Sequence, residues 1–214
     1  MKKIHWISCL GAMLFAITGQ AAHAADCKPL QILNTIKMEA NKDGTRYLVP
    51  VTVNDKPQKF LLDTGGGISQ ISRAAAKSLG MKEEASRWQL FDMYGNDSDT
   101  KVTAKTFVMG IQGGKDVILQ VSPSAQMTDD GLDGILARDL FLQYDVDFDF
   151  GASRLNYFSQ DHCEGKVAYW AERPLAIIPF TDRSSHINFP VLVDGHQMLA
   201  MIDTGSTDTL MSAT

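Results

Sequence analysis

Two aspartates in this chain stand in the same local phrase. Asp63 closes the apolar run of "KFLLDTGGGISQIS", and Asp203 closes that of "AMIDTGSTDTLMSAT". In each, an acid, a threonine and a glycine follow a strand-like stretch into a turn. One carboxylate in such a turn often does no more than cap its own loop. Two carboxylates in contact behave differently, because like charges at close range cannot both ionise and so share one proton. The charged partner can then draw a proton from a water while the neutral one gives a proton to a carbonyl oxygen. Such a pair titrates as a unit.

The elements that must position these acids repeat as well. At an offset of 140, "YLVPVTVNDKPQKFLLDTGGGISQIS" lies over "INFPVLVDGHQMLAMIDTGSTDTLMS" without a gap. Pro50 matches Pro190, Val51 matches Val191, Val53 matches Val193, Asp63-Thr64-Gly65 matches Asp203-Thr204-Gly205, and Ser72 matches Ser212. Repetition of this kind implies a duplicated structural unit. Around the first copy the pattern predicts a strand over Tyr47 to Val53, a turn at Asn54 to Pro57 and a strand over Gln58 to Leu62. Arg73 to Leu79 reads as a short helix ended by Gly80. Strands follow at Trp88 to Met93 and Lys101 to Met109, with a polar turn at Tyr94 to Asp99. "QGGK" turns the chain into Val117 to Val121. Later, "QYDVDFDF" alternates strictly, with Val146, Phe148 and Phe150 on one face and Asp145, Asp147 and Asp149 on the other. A calcium loop would need glycine at its sixth position and glutamate at its twelfth, where this stretch has Phe150 and Asn156. A half-buried strand fits better.

Composition narrows the setting. The 214 residues are 44% hydrophobic and 21% charged, enough for one full domain and part of another. The opening "MKKIHWISCLGAMLFAITGQAAHAAD" has Lys2 and Lys3, an apolar run from Ile4 to Ile17, and the small-residue site Ala22-His23-Ala24. Residues 1–25 therefore read as a cleaved secretory leader. The alternative, an uncleaved anchor, needs a longer apolar run. Losing the leader removes two cations and no acid, taking the formal charge from −5 to −7. An acidic surface without a basic cluster argues against nucleic-acid binding, and after cleavage no segment is left to span a membrane. Of three cysteines, Cys9 leaves with the leader, so Cys27 and Cys163 remain. In an exported chain, periplasmic or secreted, they suggest a disulfide worth at most roughly 5 kcal/mol for so long a loop. Two free thiols are the alternative. The scattered histidines and the lack of Cys-x-x-Cys point to no metal and no cofactor.

With these residues in view, the sequence resembles the retropepsin-like aspartic proteases, particularly the exported bacterial kind with tandem lobes. The resemblance rests on the strand into Asp63-Thr64-Gly65, on "FDMYGNDSD" where the family has its flap, and on "DGILARDLFLQYDVDFDF", similar to the family's late hydrophobic element, short helix and strand. It covers Thr45 to Phe158 as one lobe and Ile177 to Thr214 as the opening of another. It implies an all-β closed barrel and an endopeptidase acting on peptide or protein substrates. The implied roles are Asp63 and Asp203 as catalytic acids, and Thr64, Gly65, Thr204 and Gly205 as supports of the catalytic loops. Tyr94 and Gly95 would lie near the flap tip, and the threonines would bond across the lobe interface. Two departures stand out. Gly66 replaces the usual alanine or serine, which costs Asp63 a hydroxyl partner, and Ala137 adds a methyl where the family has glycine.

The expected organisation is a leader over 1–25, a lobe over 26–165, and the beginning of a second lobe over 166–214. Only eleven residues follow Asp203, whereas a lobe takes roughly a hundred, so the chain reads as a fragment or a shortened product. Asp63 then has two possible partners: Asp203 in the same chain, or Asp63 of a second copy in a homodimer. The competing class is a peptide-binding module that keeps the groove and assembles no dyad.

Overall fold

The computed structural model describes residues 27–92, 94–125, 127, 131–163, 165, 167–171, 176–180 and 186–212. The leader, residues 1–25, lies outside this range. The described chain is nearly all strand: β1 (Ile32–Lys37), β2 (Glu39–Ala40), β3 (Tyr47–Val53), β4 (Lys56–Leu62), β5 (Gln70–Ile71), β6 (Glu84–Phe91), β7 (Asp97–Met109), β8 (Gln112–Val121), β9 (Gly134–Leu136), β10 (Asp145–Asp149), β11 (Arg154–Phe158), β12 (Asn188–Val193) and β13 (His196–Met201), with the helix α1 (Arg73–Ser78) and one 3-10 turn at Arg138–Leu140. Among the described residues no helix is long and apolar enough to cross a membrane.

Six strands close a barrel in the order β3-β4-β9-β5-β8-β7, because β7 pairs back onto β3 at Thr52↔Val108 and Val53↔Phe107. The all-β closed barrel read from the sequence is therefore the observed fold. Period-two alternation builds the core: Val49, Val51 and Val53 of β3 point inward to meet Phe60, Leu62, Val102, Leu119 and Val121. Each such side chain contributes roughly 1.5–3 kcal/mol over leaving it in water. A separate sheet, β1-β11-β10, packs Ile36, Leu155 and Tyr157 into the same core. The pair β12–β13 stands as its own two-stranded ribbon.

Local chemistry accounts for the turns. The β3–β4 loop is only Asn54-Asp55, both with positive φ, as the common two-residue hairpin turn requires. Helix α1 begins where the Ser72 hydroxyl accepts the Ala75 N–H at 3.1 Å, and Gly80 follows its end at φ +64°.

Several boundaries differ from the sequence reading. Strand β4 already begins at Lys56, inside the stretch read as a turn to Pro57, because Lys56 and Pro57 pair with Val53 and Thr52. "QGGK" is not a turn: Met109 already pairs with Gln112, and Gly113 and Gly114 lie inside β8 opposite Val108 and Phe107. The turn is Gly110-Ile111, with Gly110 at φ +63° and no room for a side chain, since a Cβ would fall 2.5 Å from the Asn34 amide nitrogen. The polar stretch read as a turn through Asp99 is also strand from Asp97 on, and β6 starts at Glu84. This hairpin projects from the barrel with β6 at the sheet edge, so most of β6 is exposed and carries no alternating apolar signal.

Strand β10 forms as the alternation requires, with Val146 and Phe148 packed on the core. Phe150 lies just beyond the strand, stacked on Phe148. The acids on the other face serve as hydrogen-bond partners: Asp145 for His162, Asp147 for Asn156 and Tyr169, and Asp149 for the Ala152 N–H. No cluster able to hold a metal ion occurs among the described residues. Cys27 and Cys163 are disulfide-bonded with their Cα atoms 4.8 Å apart, joining the two ends of the first unit across 136 residues.

Candidate active site

Strand β4 ends in Phe60-Leu61-Leu62, all buried. That anchoring delivers the next residues to a fixed place: the Asp63 N–H donates to the Leu136 carbonyl of β9 at 3.0 Å. Strand β13 delivers the second phrase in the same way, and the two turns meet head to head. The Thr64 hydroxyl donates to the Ile202 carbonyl at 2.8 Å and accepts the Thr204 N–H at 3.1 Å. In reciprocal fashion, the Thr204 hydroxyl donates to the Leu62 carbonyl at 2.8 Å and accepts the Thr64 N–H at 3.1 Å. Each hydroxyl thus has both a donor and an acceptor role filled, as a buried polar group requires. Thr64 is wholly buried.

The glycines are needed for space, not for dihedral freedom. Neither Gly65 nor Gly205 has positive φ. A Cβ on Gly65 would lie 2.4 Å from the Asp203 carboxyl carbon, and one on Gly205 would lie 2.6 Å from that of Asp63. Each glycine makes room for the opposite acid. Asp63 Oδ1 accepts the Gly66 N–H at 3.0 Å, whereas Asp203 Oδ1 accepts those of Gly205 at 2.8 Å and Ser206 at 3.1 Å. The Asp63 carboxyl is pushed up to about 6, chiefly by burial, then by the Asp203 charge and a hydrogen bond to Asp203, against the pull of the Gly66 and Gly65 amides.

Of the residues singled out in the sequence, Asp63, Thr64, Gly65, Asp203, Thr204 and Gly205 come together. Tyr94 and Gly95 lie in the β6–β7 turn, which the Asp92 carboxylate folds by accepting the Tyr94 and Asn96 N–H groups, each at 2.9 Å. The Asn96 side-chain amide beside Asp92 holds that carboxyl below its usual range. The cleft holding Asp63 is about 270 Å³, and the hairpin residues lining it are Phe91 and Asp92, over a floor of Leu61, Met127, Leu132 and Ile135. Cys27 and Cys163 lie apart from it, at the ends of the first unit.

The hydroxyl thought lost at Gly66 is not missed. In the second turn the Ser206 hydroxyl donates to the Asp208 carbonyl at 2.9 Å, and it is the backbone N–H that serves Asp203. Gly66 offers Asp63 the same N–H.

A further network, built on Ser69 and Asp139, supports the first turn. The Ser69 N–H and hydroxyl donate to Asp139 Oδ1 at 2.9 and 2.6 Å, and the same hydroxyl accepts the Ala137 N–H at 3.0 Å. Burial pushes the Asp139 carboxyl above its ordinary value, with the Ser69 bonds opposing. The sequence carries a signal of this network, since the repeat sets Ser69 over Thr209.

A family model described as aspartyl protease matches residues 49–140. No curated protein matches the chain. Among solved structures, the chain is similar to a retropepsin-like aspartic protease from Rickettsia conorii, at 19% identity and a TM-score of 0.46, over 61% of this chain and 93% of that one. It is also similar to the retroviral protease-like domain of Ddi1 from Leishmania major, at 16% identity and a TM-score of 0.30, over 53% of this chain and 92% of that one. The matched segment runs from β3 through the first Asp-Thr-Gly, the projecting hairpin and β9, so that over residues 49–140 the chain is similar to the aspartyl proteases.

Proposed function

We propose that the protein is an aspartic endopeptidase whose dyad is Asp63 and Asp203 of a single chain. The observation that carries this reading is the reciprocal pair of threonine bonds, which seats the two Asp-Thr-Gly turns against each other. In the working state one carboxyl holds the shared proton and the other is ionised. The ionised oxygen takes a proton from a water as that water attacks the peptide carbonyl, and the protonated carboxyl gives its proton to the carbonyl oxygen. Collapse of the tetrahedral intermediate then releases the amine with a proton from the dyad. The β6–β7 hairpin closes over the substrate and limits access of other waters.

A homodimer through Asp63 is the less favoured arrangement, because a second copy would have to displace Thr204 from Thr64. In this reading residues 26–165 are the first lobe, and residues 166–214 begin a second whose β12–β13 hairpin repeats β3–β4. Export to the periplasm or beyond is supported by the leader-like opening and by the Cys27–Cys163 disulfide.

The test is cleavage of an unfolded protein between pH 3 and 7 by the parent, Asp63→Asn and Asp203→Asn. Loss of activity in both variants is expected. Activity that survives Asp203→Asn would point to a dimer of first lobes. A folded parent that binds peptide and cleaves nothing would leave the binding-module reading in its place.

A further inference from the structure

The two Asp-Thr-Gly turns differ at the next residue, Gly66 in one and Ser206 in the other. Dihedral freedom does not account for the glycine, since Gly66 is not among the residues of positive φ and an L side chain is sterically allowed by its backbone. Space does account for it. A Cβ on Gly66 would stand 3.1 Å from the Ala137 Cβ and 3.4 Å from Asp63 Oδ2. Ala137 is wholly buried, so its methyl has nowhere to retreat. The two departures from the family pattern thus face each other: the methyl sits on the 137 side and is absent from the 66 side.

Ala137 is also tied in place. Its N–H is held by the Ser69 hydroxyl, which is anchored on Asp139, and its neighbours Leu136 and Arg138 reach the catalytic turn. Leu136 accepts the Asp63 N–H at 3.0 Å, and the Arg138 N–H points to the Gly66 carbonyl at 3.5 Å. The residue whose N–H bonds Asp63 Oδ1 is therefore backed by a methyl on a fixed strap.

We propose that Ala137 is a positioning residue for the dyad: its methyl packs on Gly66 and sets the turn that orients the Asp63 carboxyl. The inference rests on the dyad reading above. A methyl added at 66 forces the turn away from Ala137 by a few tenths of an ångström, carrying Asp63 with it. Removing the methyl at 137 leaves the turn unsupported. Moving the methyl from one side to the other refills the same space.

The experiment is a double-mutant cycle in the full chain with Gly66→Ala, Ala137→Gly and the double variant. It has two readouts: peptide cleavage across pH 3 to 7, and NMR titration of the Asp63 carboxyl carbon, assigned by its loss in Asp63→Asn. Gly66→Ala is expected to lower kcat about tenfold with KM within about twofold, since small misplacements at a reacting centre act on kcat. The upper titration step of the dyad, followed at the Asp63 carboxyl carbon, falls toward the ordinary carboxylate range as the turn shifts. Ala137→Gly does the same to a lesser degree. The double variant recovers kcat to within about threefold of the parent, and its midpoint returns. A double variant no better than Gly66→Ala in both readouts overturns the proposal. So do single variants that melt earlier yet keep the parent's pH profile and titration, which would make Ala137 packing alone. If the parent cleaves no peptide, the hydrolase reading fails by itself, and the titration still decides whether Ala137 positions Asp63.

Discussion

The hairpins β3–β4 and β12–β13 are one sequence pattern in two surroundings. Both turn through two residues of positive φ, Asn54-Asp55 and Asp194-Gly195, and both zip in matching register, from Val53↔Lys56 and Val193↔His196 outward. Both end in Asp-Thr-Gly and exchange the same threonine bonds. Their burial is unlike. Val53, Leu61 and Leu62 are buried within the barrel, whereas their counterparts Val193, Met201 and Ile202 are 39%, 44% and 47% exposed. Strand β4 continues into the barrel by parallel pairing with β9, while among the described residues no third strand pairs with β12 or β13. The hairpin and its turn thus follow the same local pattern in both surroundings. The barrel adds burial, and the threonine bonds give the bare hairpin its address.

If that division is right, equivalent substitutions should have unequal effects. The largest contrast is Leu62→Ala against Ile202→Ala. The first opens a cavity in the barrel and costs about 2–5 kcal/mol, while the second removes a half-exposed side chain and costs under about 1 kcal/mol. Denaturant unfolding measures both, and equal losses would break the comparison.

Next in size is Thr204→Val, which leaves the Leu62 carbonyl without its donor and the Thr64 N–H without its acceptor. The cost, about 1–3 kcal/mol, should fall on docking of the β12–β13 hairpin. Amide hydrogen exchange is expected to quicken in β12 and β13 and to stay slow in β3 and β4. Uniform quickening would show that both hairpins share one cooperative unit.

The smallest effect is at Asp139→Asn. The folded state raises the Asp139 carboxyl, so its favourable share of stability is present while it is protonated and fades as pH rises through the raised value. Asparagine keeps an oxygen for both Ser69 bonds and carries no charge. Part of Asp139 reaches solvent, which screens its charge, so the variant should melt only slightly above the parent near pH 7 and together with it near pH 3. A constant offset across that range would mean that charge burial is not the cause.

Much of the first unit was legible because its signals are local. Ser72 caps the helix that starts at the next residue by accepting the Ala75 N–H, Asn54-Asp55 closes a hairpin of its own neighbours, and the alternation of β10 needs only five residues. The edges of β6, β7 and β8 were not legible. A projecting hairpin has little buried face to leave a pattern, and Gly113 and Gly114 look like a turn whether or not they pair with β7.

The sequence by itself determined the two Asp-Thr-Gly turns and their hairpins, because each depends on residue types a few positions apart. Only the tertiary structure decided that Asp63 faces Asp203 in the same chain, that each glycine clears the opposite carboxyl, and that Gly66 and Ala137 share one methyl's worth of space. Those are relations of distance across about 70 to 140 residues. Chain closure sets them, through the burial of β4 and its pairing with β9, and no local propensity encodes them.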